Sequence, residues 1–196
     1  MAKRKRPPRR VGQHHGDLRA TLMGTALAML ESGPSAALSL RAVCREAGVA
    51  PAAAYHHFID REGLLGAVRE EGFARLVERL DGARAEAVAA RAQLVAVCAA
   101  YVGFARLHRG LYAVMFAPAG RAPNRAHDAF ERFVVALAAV DGLASTGQVR
   151  GRAMALWAHC HGVAALSMEG VGDAAEVLED AALGLAELPL RSGLAR

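Results

Sequence analysis

Apolar residues recur at intervals of three and four along nearly the whole chain, the spacing that places them on one face of an α-helix. Leu18, Leu22, Ala26, Met29 and Leu30 mark a first helix over residues 17–32, and Gly33-Pro34 ends it. Ser39 stands before LRAVCREAG as an N-cap, with Leu38 ahead of it and Val43 beyond as the apolar pair of a hydrophobic staple. That second helix covers residues 40–46 and stops at Gly48, the residue best suited to the left-handed conformation past a helix end. Pro51 then opens a very short third helix over residues 51–56, at a position where its missing N–H costs nothing. Asp60 caps a fourth helix, in which Leu64, Leu65, Val68, Phe73, Leu76 and Leu80 keep the helical spacing.

The pattern continues through the remainder of the chain. QLVAVCAAYVGFARLH reads as one helix, RGLYAVMF as a shorter one, and APAGRAP as the clearest loop, with two prolines and a glycine. NRAHDAFERFVVALAAV is the next helix, closed by Asp141-Gly142. The last two helices span residues 146–168 and 172–187, separated by Gly170 and Gly172. No repeat and no strand-like alternation interrupts them. An all-α protein is predicted, with a flexible arm over residues 1–15. A three-helix helix-turn-helix domain follows over residues 16–60, then a helical bundle over residues 61–196.

Composition sharpens this picture. Hydrophobic residues make up 54% of the chain but aromatic ones only 5%, so the core must be built by alanine-rich helices in close approach. No run of 18 apolar residues occurs and no apolar stretch follows the basic start, so neither a spanning helix nor a secretory signal is expected. Cys44, Cys98 and Cys160 are odd in number, widely spaced and set in helical patterns. They read as buried thiols of a reducing compartment, which implies the cytoplasm.

Charge adds a direction. Residues 1–58 hold nine Lys and Arg against three acids, whereas residues 59–196 hold fifteen against sixteen. Six of the front charges are Lys3, Arg4, Lys5, Arg6, Arg9 and Arg10. They are either a solvated tail or an arm that follows phosphates or enters a minor groove.

The stretch AGVAPAAAYHHF raises the functional question. In a helix-turn-helix the second helix enters the major groove with its N-terminal residues against base edges. Small side chains there let the backbone approach closely, and alanine can touch a thymine methyl. The alternative is that Ala52, Ala53 and Ala54 merely pack a compact helix, and Tyr55 or Phe58 could equally belong to the core. The run LSLRAVCREAGVAPAAAYHHFIDREGLL, residues 38–65, closely resembles the N-terminal domain of the tetracycline-repressor (TetR) family of transcriptional regulators. The resemblance implies a homodimeric all-α regulator that binds a palindromic double-stranded DNA operator and holds a small-molecule effector in its larger domain. Carried over by position, Ser39 caps the second helix and touches a phosphate, and Ala50, Pro51, Ala52 and Ala53 face the groove. Tyr55 and His56 contact backbone or bases, Arg61 stands where the family usually has a phosphate-binding Lys, and Arg41 joins this DNA-binding set. Position 50 departs from the common Ser or Thr. The recognition helix also lacks Arg, Asn and Gln, so specificity leans on His56, apolar contacts, DNA shape and the arm.

YVGFARLHRGLYAVMFAP followed by WAHCHG is similar to a subgroup of TetR ligand domains with a Trp-x-x-x-His-Gly signature, here Trp157, His161 and Gly162. Arg109 stands where that subgroup more usually has Pro. Candidate ligand contacts are Tyr101, Phe104, Tyr112, Met115, Phe116, Phe133, Trp157 and His161, each of which could equally be core. Trp157 and His161 share a helical face. His159, Cys160 and His161 point about 100° apart in succession and cannot converge on one ion, so no metal is expected. No triad order, phosphate loop or catalytic carboxylate pair stands out, so no cofactor and no enzymatic activity are expected. By the resemblance, the last two helices, with Leu156, Val163, Leu166, Val177, Leu178, Leu183 and Leu185, form a dimer interface; otherwise they close the monomer's own core. The expected function is a DNA-binding transcriptional regulator, a repressor released by a small apolar ligand. The alternatives are an activator of the same family, or an all-α ligand carrier or enzyme that never meets DNA.

Overall fold

The computed structural model describes residues 18–33, 35–118, 124–141, 147–171 and 184. Eight α-helices follow one another in the described residues: α1 Leu18–Ser32, α2 Leu40–Glu46, α3 Pro51–Ala54, α4 Arg61–Glu86, α5 Ala90–Leu107, α6 Arg109–Met115, α7 Asn124–Asp141 and α8 Gly147–Met168. A 3-10 turn, Ser35–Ala37, separates α1 from α2. No strand is present among the described residues. The predicted arm and nearly all of the predicted last helix, including Val177, Leu178, Leu183 and Leu185, lie outside them.

Local chemistry sets the first three helices. Ser39 Oγ accepts the Ala42 N–H at 3.2 Å, so the N-cap stands where the sequence predicts it. Leu38 and Val43 are both buried beside it. Past the end of α2, Gly48 takes φ +66, a conformation that costs a side-chain-bearing residue about 1–2 kcal/mol. Pro51 opens α3, whose cap Ala50 has no side chain to offer. The helix ends at Ala54, two residues earlier than predicted. The Ala54 carbonyl there accepts both the His57 N–H at 2.9 Å and the Phe58 N–H at 3.0 Å, tightening the turn that carries Phe58 into the core. Asp60 Oδ1 accepts the Gly63 N–H at 2.8 Å and starts α4.

α4 is 26 residues long, about 39 Å at 1.5 Å per residue, and it carries the chain from the front helices to the bundle. α1, α5, α6 and α7 all pack on it. Its contact with α7 includes a two-pronged ion pair, Arg132 Nε to Asp81 Oδ1 at 3.0 Å and Nη2 to Oδ2 at 2.8 Å. α5 is the central element, contacting α4, α6, α7 and α8. By length and composition α5 is apolar enough to cross a membrane. Its buried positions, Leu94, Val97, Cys98, Tyr101, Val102, Phe104 and Ala105, account for that composition as the core of a bundle.

α6 is a short wedge between α1 and α4. A Cβ on Gly110 would collide with the Leu30 carbonyl at the end of α1. On α4, a Cβ on Gly72 would lie 2.7 Å from the Met115 Cγ and Sδ atoms. The guanidinium of Arg69, the one charged side chain buried among the described residues, donates from Nε to the Val114 carbonyl at 3.1 Å. Its Nη1 lies 3.5 Å from Glu62 Oε2. Adding a methyl against backbone cannot be absorbed by a rotamer change, so Gly110→Ala is expected to lower stability by about 1–3 kcal/mol in a urea titration.

Candidate nucleic-acid interface and buried polar cluster

The front helices present α3 outward. Ala50, Pro51 and Ala52 are exposed and Ala53 is half-buried, whereas Ala54 is fully buried. Four residues on, Phe58 is buried as well, with the Arg19 guanidinium 5.3 Å above its ring. Tyr55 is 48% exposed, which assigns the core role to Phe58 and the surface role to Tyr55. His56 is exposed and His57 half-buried. A small exposed surface is thus held by two anchors on its inner side, so the backbone of α3 can approach a partner closely without losing its place.

The cationic candidates fare differently. Arg41 is exposed on α2, and so is Arg45, which sequence reasoning passed over although it lies one turn further along the same face. Arg61 is exposed, but its Nε donates to the Leu38 carbonyl at 3.0 Å and its Nη1 lies 3.7 Å from Glu62 Oε1. Part of its donor capacity therefore holds the start of α4 to the residue before the Ser39 cap. Ser39 is half-buried and its Oγ is engaged in capping.

A second constellation lies inside the bundle. Tyr101 on α5, Tyr112 on α6 and His161 on α8 form a closed triangle. The two hydroxyls are 3.0 Å apart, and His161 Nδ1 is 3.1 Å from Tyr101 Oη and 2.6 Å from Tyr112 Oη. Burial pushes the Tyr112 hydroxyl up to about 12. Burial first, then Tyr112, lifts Tyr101 beyond the ordinary tyrosine range. Burial also holds His161 below the usual histidine range, so all three groups are neutral at pH 7. With both hydroxyls protonated, a chain that uses every proton runs from one tyrosine to the other and on to Nδ1, and the shorter contact, 2.6 Å against 3.1 Å, makes Tyr112 the donor to Nδ1 and Tyr101 the donor to Tyr112. The imidazole hydrogen then sits on Nε2. A proton on Nδ1 would leave one hydroxyl hydrogen without an acceptor in the triangle.

Rings enclose the triangle. Phe116 lies 4.6 Å from His161, 4.7 Å from Tyr112 and 6.5 Å from Trp157, centroid to centroid. Phe133 lies 5.7 Å from Tyr101 and 6.5 Å from Trp157. The Trp157 N–H is near enough to the Tyr101 oxygen to lower that hydroxyl's pKa, yet its buried Nε1 makes no hydrogen bond within range. Six of the eight predicted ligand contacts are therefore brought together. Phe104 instead packs on His108 at 4.9 Å, and Met115 turns toward Gly72 on α4. Helical spacing alone could not separate these two, because both are buried apolar residues on the same two helices. Phe130, 5.6 Å from Trp157, was missed; its position three residues before Phe133 on α7 was the available signal.

Among the described residues, one cleft opens between α1 and α2 beside Met29, Leu38 and Glu46, and another between α1 and α4 beside Met23, Ala67 and Arg75. His159, Cys160 and His161 diverge: Cys160 is buried, His161 joins the triangle, and His159 Nε2 is buried without a hydrogen bond. Among the described residues no group of three potential metal ligands converges. All three cysteines are buried and free. Contact with Cys160, then burial, raises the Cys98 thiol, which makes it a poor nucleophile.

Two family models match the chain. Residues 22–68 match "Bacterial regulatory proteins, tetR family", and residues 94–186 match "Tetracyclin repressor-like, C-terminal domain". No curated protein matches. Among solved structures, a protein with unknown function from Rhodococcus sp. RHA1 is 35% identical, with a TM-score of 0.76 over 91% of this chain and 98% of that one. A bacterial regulatory protein in the tetR family from Rhodococcus RHA1 is 16% identical, with a TM-score of 0.65 over 87% of this chain and 95% of its own. A TetR-family transcriptional regulator from Streptomyces coelicolor is 22% identical, with a TM-score of 0.63 over 85% and 97%. With family models matched to the front helices and to the bundle that they adjoin, the chain belongs to the tetR family of bacterial regulatory proteins.

Proposed function

We propose that this regulator is a cytoplasmic homodimeric repressor that binds a palindromic operator and leaves it when a small, largely apolar molecule enters the bundle. In this reading residues 16–60 bind DNA, residues 61–196 bind the effector and dimerise, and residues 1–15 follow the phosphates. The observation that carries it is the outward face of α3, where Ala50, Pro51, Ala52, Tyr55 and His56 are exposed while Ala54 and Phe58 anchor the helix from behind. A helix so poor in side chains suits close docking in a major groove, and Arg41 and Arg45 on α2 are available for the phosphates beside it.

α6 supplies the coupling. Its Tyr112 belongs to the buried triangle and Phe116 caps its end, while Gly110 abuts α1 and Val114 accepts from Arg69 of α4. A ligand that displaces the rings moves a helix that has no slack against the front domain. It thereby favours a separation of the two recognition helices that no longer matches the roughly 34–36 Å between successive grooves. Only a difference in ligand affinity between the two states is required. The Trp157 and His161 pair, which meet around Phe116, supports placing the chain in the Trp-x-x-x-His-Gly subgroup.

The exposed face of α8 supports dimerisation. Gly151, Met154, Ala155, Ala158, Gly162 and Leu166 are exposed, uncharged and within one helical stripe. Small residues there permit two copies of the helix to cross closely.

The direct experiment recovers DNA from a genomic fragment pool and footprints the protein on its own upstream region; failure to protect a palindrome overturns the reading. Ala52→Asp, which sets a negative charge on the exposed face of α3, is expected to lower operator affinity more than about tenfold with an unchanged melting temperature. A carrier or enzyme indifferent to DNA would keep its function. Deleting Lys3 to Arg10 should reduce the slope of log affinity against log salt by up to about 0.9 per lost phosphate contact. Ala158→Arg should yield monomers in sedimentation velocity with helix content intact, since a buried unpaired cation opposes its symmetry mate.

A further inference from the structure

The ring cage is already occupied by one of its own residues. Of six phenylalanines in the chain, five are buried and Phe116 alone is only partly so. It is the cap residue at the C-terminal end of α6, outside the last helical turn. Yet its ring is surrounded, by His161 at 4.6 Å, Tyr112 at 4.7 Å, Phe73 at 5.4 Å and Trp157 at 6.5 Å. Three of those four contacts are edge-to-face, the arrangement that ring quadrupoles favour around a single flat guest.

We infer that Phe116 is a removable stand-in for the effector, and that the effector is a flat, uncharged aromatic molecule carrying a hydrogen-bond acceptor that closes on the Trp157 N–H. This rests on the effector-released reading above and names the ligand class of that site. The space is ring-sized because a ring fills it. The acceptor follows from Trp157, whose buried Nε1 lies near the Tyr101 oxygen without reaching hydrogen-bond range; an acceptor oxygen delivered there gives that N–H a full hydrogen bond. The absence of charge follows from the neighbours. Tyr101, Tyr112 and His161 satisfy one another as neutral groups, the buried Arg69 is committed to the Val114 carbonyl and Glu62, and the cation–ring contacts among the described residues, Arg19 over Phe58 and Arg150 over Phe130, fall on other rings. A carboxylate there would lose its hydration without an ion partner. Displacement acts on the front domain through chain connectivity, since Phe116 is two residues beyond the Val114 carbonyl that holds Arg69.

The test titrates full-length Phe116→Ala with ethylbenzene, acetophenone and benzoate by calorimetry. Emission of Trp157, the only tryptophan, is followed alongside. An apolar space of ring size accepts a ring-sized guest. Both neutral rings should bind the variant more tightly than wild type, acetophenone roughly three- to tenfold more tightly than ethylbenzene, and benzoate should give no heat. Adding Trp157→Phe should abolish the preference for acetophenone and keep ethylbenzene binding. A folded variant that binds neither neutral ring overturns the inference. So does benzoate binding as tight as acetophenone, or a preference that survives Trp157→Phe. Should Phe116→Ala not fold, Phe116→Leu is titrated the same way and judged by the same outcomes. Retention of genomic DNA by the same preparation separates the two readings. DNA retained without ring binding refutes the ligand class alone, whereas ring binding without any retained DNA refutes the operator reading and leaves the site standing.

Discussion

The close seating of α6 against two other helices is the contact on which the rest of the architecture depends. Gly110 has no Cβ because the Leu30 carbonyl occupies that space, and Gly72 opens the surface of α4 for Met115. A carbonyl and a helical backbone do not yield as a side chain would, so α6 can shift only if α1 or α4 shifts with it. Arg69 tightens the link from the other direction. Its charge is buried, with the Glu62 carboxylate 3.5 Å away and a backbone carbonyl as its firmest partner. Loss of the Val114 carbonyl would therefore leave a costly unpaired donor.

The polar triangle is expensive as a means of stability. A well-packed apolar core would hold α5, α6 and α8 together without burying two hydroxyls and half-burying an imidazole. What the triangle adds is direction, because the Tyr112 hydroxyl must stay within hydrogen-bonding range and angle of both Tyr101 and His161, a demand that apolar packing does not make. Position on the wedge and orientation of the wedge are thus set by two different kinds of contact. One is steric, against the front helices. The other is hydrogen-bonded, within the bundle.

How much of this was legible in the chain depends on range. The start and stop of α2, the opening of α3 at Pro51, the Asp60 cap and the approximate spans of α4 to α8 follow from caps, breakers and apolar spacing, which act over three or four residues. The chain pattern predicts an α3 two residues longer than the one found, because Phe58 draws the turn inward. That pull comes from a core shared with α1 and α4 and has no local signal. Arg61 matched a phosphate-binding position by resemblance, yet its Nε spends itself on the Leu38 carbonyl, a residue 23 positions away.

By itself the amino-acid sequence determined an all-helical chain with a basic front, a capped helix pair around a Gly turn, and a second helix of small side chains. Each of these is dictated by neighbours within about one turn of helix. Only the tertiary structure decided which buried aromatic residues share a cage, that Phe104 and Met115 turn away from it, and that Tyr101, Tyr112 and His161 close a triangle. The physical reason is that contacts between residues 11 to 60 positions apart depend on the crossing and rotation of whole helices. Those are set by the summed packing of every element on α4 and α5, and no local pattern along the chain records them.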